Sequence, residues 1–526
     1  MAARCVHHVQ LAVRNGPRIV HKLISNVNFK LFAERRDVHR TDWVLRSGSS
    51  VLVVSEHVDE TSSPVAPSPA SSAAGLPGAS SSGGGTVNVR ASTTGSRDHL
   101  CDRDSRPTHV GSTVSNVDER SNDGRGCGSH SIQSSMPTRR LGYVSPPLSS
   151  QNLDFNIPQS ARGNVDTVCN IAFEVCDVEA TVKRANNGGA QVLCQPTVIK
   201  DPHGYVEVAA VKSCVGNVVH TILNTKQYKG TFLPGFSSVT RNPNESDDVA
   251  LNGSIYNIGI ADHDLTSTTE VDSHTHVTND AEDARTKPLV THFDHITFAV
   301  PTGASHEVLD WYENCFGMNR FWLDSEEDKL EGFVVRGSNV GLRMKAMEYW
   351  RCAETGLTFP EESSDERLGS DAKLMFVVAE ALPDQGANQV ETFIREHCGP
   401  GIQHIGLYTP NIEHTVQHLQ SSGLQFMIPP PTYYTHVGKL QEILMTGHDP
   451  VLLERLGILL DAEDFQEEVV DRDQPLRYLM QVFTRPFFDR DTFFLEVIQR
   501  NGACGFGAGN IKALWKSVEA YMQEKT

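Results

Sequence analysis

The chain has 526 residues, 39% of them apolar, enough for two or three domains with separate cores rather than one. A formal net charge of −19 argues against a nucleic-acid surface, which would concentrate Lys and Arg, and points to a small-molecule partner. The 11 cysteines form no CxxC pair and are odd in number, the pattern of free thiols in a reducing compartment, and no apolar run is long enough for a membrane-spanning helix.

The first 33 residues carry Arg4, Arg14, Arg18, Lys22 and Lys30 and no acid before Glu34, a bias shared with organelle transit peptides. Within them, CVHHVQLAV also reads as the first strand of a domain. Its pattern returns three times. HHVQLAV at His7, CNIAFEV at Cys169, DHITFAV at Asp294 and QHIGLYT at Gln403 each place a polar residue before alternating apolar positions, the signature of a half-buried strand. Amphipathic stretches such as SHEVLDWYENCFG and IEHTVQHLQSSGLQF follow, with helical spacing and a Gly near the end. Later runs, KLMFVVAE, LMQVFTRP and FFLEVIQR, add strands, so each unit is expected to be a strand, a helix and several strands.

These repeats divide the chain. Residues 1–58 with 161–240 are expected to form one domain, and 289–526 a second, catalytic one. Between the halves of the first lies 59–160, rich in Ser, Gly, Pro and Thr, which reads as a disordered low-complexity insert. Residues 241–288 read as a polar linker. A long insert costs little in closure entropy, so the two halves of the first domain can still pair across it.

His295, His404 and Glu496 lie in three of the strand-like segments. Taken alone, a His on a half-buried strand is usually a packed residue. The repeat changes this, because His295 and His404 hold matching places in the third and fourth units. Glu496, in the aromatic and aliphatic run FFLEVI, needs a cation or donor beside it. Two imidazoles and one carboxylate are the ligand set of non-heme Fe(II) sites that keep open positions for substrate and O2. In the first two units His8 matches His295, but Asn170 replaces the second His and VVHTILN offers no carboxylate, so that half is expected to hold no metal. Gln481 and Phe483 share a strand face, as do Phe494 and Glu496. At the end of the chain, GFGAGN reads as a Gly-rich turn with Asn510 as helix N-cap, and Ile511, Leu514, Trp515 and Val518 fall on one apolar face that can cover the site.

The segments GPGIQHIGLYTPNI, LMQVFTRP, FFLEVIQR and GFGAGNIKALW resemble the catalytic half of 4-hydroxyphenylpyruvate dioxygenases, over about Leu289 to Glu519, with a looser likeness in the first half. The resemblance implies an α+β, vicinal-oxygen-chelate fold of paired βαβββ modules in two domains. It implies Fe(II) held by His295, His404 and Glu496, and pocket residues at Gln389, Gln403, Gln481, Phe483, Phe494 and Phe506. Gln403 neighbours a ligand on the strand, so its inward orientation rests on the resemblance. Three positions depart from the family pattern: Gly332 in place of a Ser, Met347 before Glu348 in place of an Asn, and Ile511 in place of a Phe. The implied reaction decarboxylates an aromatic keto acid with O2 and then oxidises either the ring, giving homogentisate, or the benzylic carbon, giving 4-hydroxymandelate. An aliphatic residue at the Ile511 position resembles the mandelate-forming enzymes and favours that product; homogentisate formation and a metal-free binding protein are the alternatives. Animal-type relatives further imply a mitochondrial placement, with the cytoplasm as alternative, and supply of a quinone head-group precursor. Oligomeric state stays open, a homodimer being one option.

Overall fold

A computed structural model of the chain describes residues 3–38, 40–57, 165–239, 287–321, 327–328, 331–336, 341–348, 375–383, 385, 388–435, 438–463 and 476–524. The expected insert 59–160 and nearly all of the linker 241–288 lie outside them.

Each of the four repeats becomes a module. The first comprises β1 (Ala3–Val13), α1 (Gly16–Ser25), β2 (Lys30–Arg36), β3 (Arg40–Ser47) and β4 (Ser50–His57). The second comprises β5 (Thr167–Val175), α2 (Val178–Asn187), β6 (Val192–Asp201), β7 (Gly204–Lys212) and β8 (Val219–Asn224), with the short β9 (Ser237–Ser238) after it. The third has β10 (His292–Val300), α3 (Ser305–Phe316), β11 (Asn319–Phe321), β12 (Phe333–Arg336), β13 (Gly341–Glu348) and β14 (Met375–Ala381), and α4 (Gln389–His397) leads out of it. The fourth has β15 (Gly401–Tyr408), α5 (Ile412–Ser421), a 3-10 turn (Pro431–Tyr434), α6 (Leu440–Met445), α7 (Pro450–Leu456), β16 (Leu459–Ala462), β17 (Tyr478–Phe483) and β18 (Phe494–Asn501). The helix α8 (Ala508–Glu524) follows. Three module helices start in the same way. The side chains of Asn15, Asp177 and Asn411 accept from the amides of Arg18, Ala180 and His414 at 3.0, 2.8 and 3.0 Å, satisfying amides that the first helical turn leaves open.

In every module the last strand returns parallel to the first, β4 beside β1, β8 beside β5, β14 beside β10 and β18 beside β15. Modules then join in pairs through antiparallel first strands, giving one sheet in the order β6-β7-β8-β5-β1-β4-β3-β2-β9 and another in the order β11-β13-β14-β10-β15-β18-β17-β16. Residues 3–12 pair with β5 and 9–13 with β4, so β1, in the acid-free start of the chain, is a central strand. Cleaving it away would open the first sheet.

One face of each sheet packs on the helices, and these faces share a core: Val9, Leu11 and Ile171 from the first sheet, Ile296, Phe298 and Ile405 from the second, Val20, Val182, Tyr312 and Val416 from the helices. Polar contacts cross the same boundary, with His220 Nε2 2.9 Å from the Tyr312 hydroxyl and the Thr167 hydroxyl 2.7 Å from His397 Nε2. The other two faces enclose separate clusters. In the first sheet Phe232 and Leu233 fill the space against Ala33, Val53 and Val206; in the second, Phe506 and Ala508 close over Met344, Ala346, Met375 and Val377. No described helix is long and apolar enough to cross a membrane.

Candidate metal centre

The three ligand candidates meet on the face of the second sheet that Phe506 covers. Strands β10, β15 and β18 lie side by side, and the register sets His295 opposite Gly406 and Gly406 opposite Glu496. His404, two residues before Gly406, shares its face. A Cβ at Gly406 would run into the His295 ring, so this glycine lets His295 reach across β15 to Glu496.

Two bulges aim the histidines. Pairing steps from Phe293–Leu407 to His295–Gly406, and from Thr297–His404 to Phe298–Ile402, leaving Asp294 and Gln403 as extra residues. Phe293, Phe298 and Ile402 thus stay in the helix-side core while His295 and His404 turn the other way. Each extra residue brings an oxygen to the imidazole that follows it. Asp294 Oδ1 is 2.8 Å from His295 Nδ1, and Gln403 Oε1 is 3.3 Å from His404 Nδ1. The bulge thus brings the Gln403 side chain to His404 Nδ1.

His295 Nε2 lies 3.1 Å from Glu496 Oε2, His404 Nε2 lies 3.5 Å from the same oxygen, and the two Nε2 atoms are 3.3 Å apart. Glu496 Oε1 is buried with no hydrogen-bond partner, as is Thr297 Oγ1, which faces the same way from β10. A buried, unpartnered polar atom costs about 1–3 kcal/mol, more when charged, so the arrangement suits a divalent cation among two imidazoles and a carboxylate. Among the described residues this is the one His/Cys/Asp/Glu trio so arranged.

Burial alone would keep His295 neutral, but the carboxylate of Glu496 and the bond to Asp294 outweigh it and push its pKa up to about 9. Burial, with His295 beside it, holds His404 well below 6.5. A divalent cation held by His295, His404 and Glu496 would take the place of the proton on His295 Nε2. Burial would raise Asp294, yet the Arg500 guanidinium overrides this and holds it far below the usual carboxylate range.

Aromatic rings wall the site. Phe494 stacks on His404 with centroids 4.7 Å apart and an interplanar angle of 19°, Phe506 meets His295 edge-on at 5.1 Å, and Phe483 stands 6.4 Å from His404. Gln481, 2% exposed, sits two residues before Phe483 on the same face, beneath Gly507. Ile511 packs into the cluster of Phe506, Met375 and Ala346.

Residues 292–454 match the model of the Glyoxalase/Bleomycin resistance protein/Dioxygenase superfamily. The 4-hydroxyphenylpyruvate dioxygenase-like protein of Rattus norvegicus is 33% identical over 360 residues, 68% of this chain and 78% of that one. The 4-hydroxyphenylpyruvate dioxygenase of Dictyostelium discoideum is 30% identical over 384 residues, 72% of this chain and 83% of its own. The chain belongs to the 4-hydroxyphenylpyruvate dioxygenase family. It is an enzyme of the dioxygenase kind, with the vicinal-oxygen-chelate fold. A substituted 4-hydroxymandelate synthase from Streptomyces coelicolor aligns with 99% of this chain and 100% of its own at TM-score 0.57 and 18% identity, a likeness of fold.

Two expectations need correction, Gln389 in the pocket and Asn510 as the cap, and two positions that depart from the family pattern, Met347 and Gly332, lie off the triad's face. Gln389 is exposed: Asn388 caps α4 by accepting from the Val390 amide at 2.9 Å, and Val390 and Phe393 take the inward face. Met347 pairs with Phe376 in the helix-side core, whereas Glu348 pairs with Met375, itself opposite His295. Strand parity therefore makes Glu348, 4% exposed, the residue that shares the triad's face. Gly332 is no wall residue either. It bridges Asp328 at a φ of 80°, and a Cβ there would press on Lys345, which shares the opposite face with Met347. Lastly, α8 begins at Ala508, so Asn510 lies within its first turn, fully buried, with Oδ1 accepting from the Tyr433 hydroxyl at 2.6 Å. The cap comes from β16, where Asp461 Oδ2 accepts from the Gly509 amide at 3.0 Å. The side chains of Trp515 and Val518 lie outside the described residues.

The first sheet repeats the frame without the ligands. Its bulges leave His7 and Cys169 extra, and the register places His8, Asn170 and Thr221 where the second sheet has His295, His404 and Glu496. Asn170 Nδ2 donates to the Thr221 hydroxyl at 2.9 Å and to Gln10 Oε1 at 3.1 Å, so these groups satisfy one another.

Proposed function

We propose that the chain is an Fe(II)-dependent dioxygenase that decarboxylates 4-hydroxyphenylpyruvate with O2 and releases 4-hydroxymandelate. The observation that carries this reading is the convergence of His295, His404 and Glu496 beside the orphaned Glu496 Oε1, within a family of that activity. Bound Fe(II) would supply the open positions for the keto acid and O2. The protein's own groups do the rest. Phe483, Phe494 and Phe506 exclude water around the ligands and give an aryl ring apolar surfaces to lie against. Gln403 and Gln481 offer neutral amides, able to orient polar oxygens without adding charge. Ile511, reaching from α8 into the same cluster as Phe506, is narrower than a phenyl ring, and that room lets the substrate ring tilt and present its benzylic carbon.

Incubation of the Fe(II)-loaded protein with 4-hydroxyphenylpyruvate and O2, read by mass spectrometry, is expected to give 4-hydroxymandelate; homogentisate as main product would overturn the product assignment. Glu496→Ala is expected to abolish stoichiometric iron binding, measured by metal analysis. The mitochondrial placement rests on the acid-free start and the animal-type likeness, and the pairing of β1 in the first sheet bears only on whether that segment belongs to the fold. Fractionation of cells followed by intact mass of the protein tests both points.

A further inference from the structure

We propose that Asp294 and Arg500 are positioning residues for the metal centre, acting as one unit that fixes His295 and ties it to the loop covering the site. The inference rests on the reading of His295, His404 and Glu496 as metal ligands. An imidazole that ligates through Nε2 must carry its proton on Nδ1, and something must hold that proton in place. Asp294 Oδ1 does so at 2.8 Å. A carboxylate so close to a cation would compete for it unless its own charge were committed elsewhere. Arg500 commits it, with Nε 2.7 Å from Oδ2 and Nη2 2.7 Å from Oδ1. This two-toothed geometry fixes direction as well as charge.

Arg500 reaches this place because it follows Glu496 by four residues on β18 and shares its face. Its remaining contacts go to the cover: Nη1 donates to the Gly505 carbonyl, and the guanidinium stands 5.3 Å from the Phe506 ring centroid. Phe506 in turn meets His295 edge-on at 5.1 Å. The contacts thus form a closed ring, from His295 to Asp294, Arg500, Phe506 and back.

Two comparisons within the molecule separate this role from mere support of the bulge. His404 has the same bulge with a neutral amide at 3.3 Å, and among the described residues no Lys or Arg bonds that amide as Arg500 bonds Asp294. In the first sheet the equivalent bulge carries His7, whose Nδ1 lies 2.8 Å from His8 Nδ1, and Asn170 and Thr221 stand where the other two ligands would be. The backbone therefore tolerates an amide or an imidazole at this place, and the charged pair belongs to the metal-bearing half.

The test uses Co(II) as probe on the full-length chain, read by calorimetric affinity and by the visible absorption of the bound ion. Asp294→Ala is expected to weaken Co(II) binding by about 10- to 100-fold and to alter the spectrum. Arg500→Gln should shift the spectrum in the same sense, and the double variant should lose no more than Asp294→Ala alone, because the two act through one ligand. A purely structural role would lower the melting temperature and leave affinity and spectrum of the folded protein as in the wild type; that result overturns the inference. If Asp294→Ala does not fold, Asp294→Asn keeps the size and the acceptor but removes the charge, and wild-type affinity and spectrum in it overturn the inference equally. Wild-type protein that binds no Co(II) in the same titration would instead sink the metal-centre reading.

Discussion

A missing side chain does as much for this site as the three that bear ligands. Gly406 stands between His295 and Glu496, and a Cβ there would occupy the space of the His295 ring. Gly406→Val is therefore expected to displace His295 and abolish stoichiometric metal binding while far-UV circular dichroism stays that of the folded protein; full metal content in the variant would show that the ring can move aside. The proposed product gives Ile511 a test of the same kind, by size. Ile511→Phe is expected to narrow the chamber beside Phe506 and shift product from 4-hydroxymandelate toward homogentisate, a ratio that chromatography of the reaction mixture reads directly.

At the scale of elements, the bulges in β10 and β15 and the seating of α8 decide the geometry. The seating is polar: the Tyr433 hydroxyl lies 2.6 Å from Asn510 Oδ1 and 3.0 Å from both the Leu460 carbonyl and the Leu460 amide, all buried. Tyr433→Phe strands these groups and is expected to cost about 1–3 kcal/mol in urea unfolding, with faster amide exchange at the start of α8. The modules themselves were legible in the sequence because period-two alternation and helical spacing are local signals. His295, His404 and Glu496 were legible because the repeat matched two of them. Asp294 and Arg500 were not, since a bulge depends on which residue the partner strand presents, information that one strand does not hold. The cap of α8 was missed for the same reason, since Asp461 supplies it from 48 positions earlier. Gln389, carried over from the family pattern, falls on the exposed side of the α4 start, which a resemblance of sequence does not reveal.

Across the whole molecule the two sheets are joined by buried contacts, and one of them titrates. His220 is fully buried against Tyr312, and burial lowers its pKa from 6.5 to about 3. Between these values the unfolded chain binds a proton that the folded chain refuses, so stability rises with pH through that window and is lost as pH falls below 6.5, by up to about 1.4 kcal/mol per unit. His220→Gln is expected to flatten this slope, so that the loss of unfolding free energy between about pH 7 and about pH 5 is smaller by about 2 kcal/mol than in the wild type. An unchanged difference would assign the acid sensitivity elsewhere. The frame in the first sheet has a different consequence, one of engineering. His8 already stands at the place of His295, its strand already bulged, and only Asn170 and Thr221 separate that trio from a second set of ligands, with Phe232 5.3 Å from His8 as the ring that fills the space. The chain thus carries a second copy of the frame of its own site, in which Asn170→His with Thr221→Glu would restore the ligand set beside Phe232 with no change of strand register.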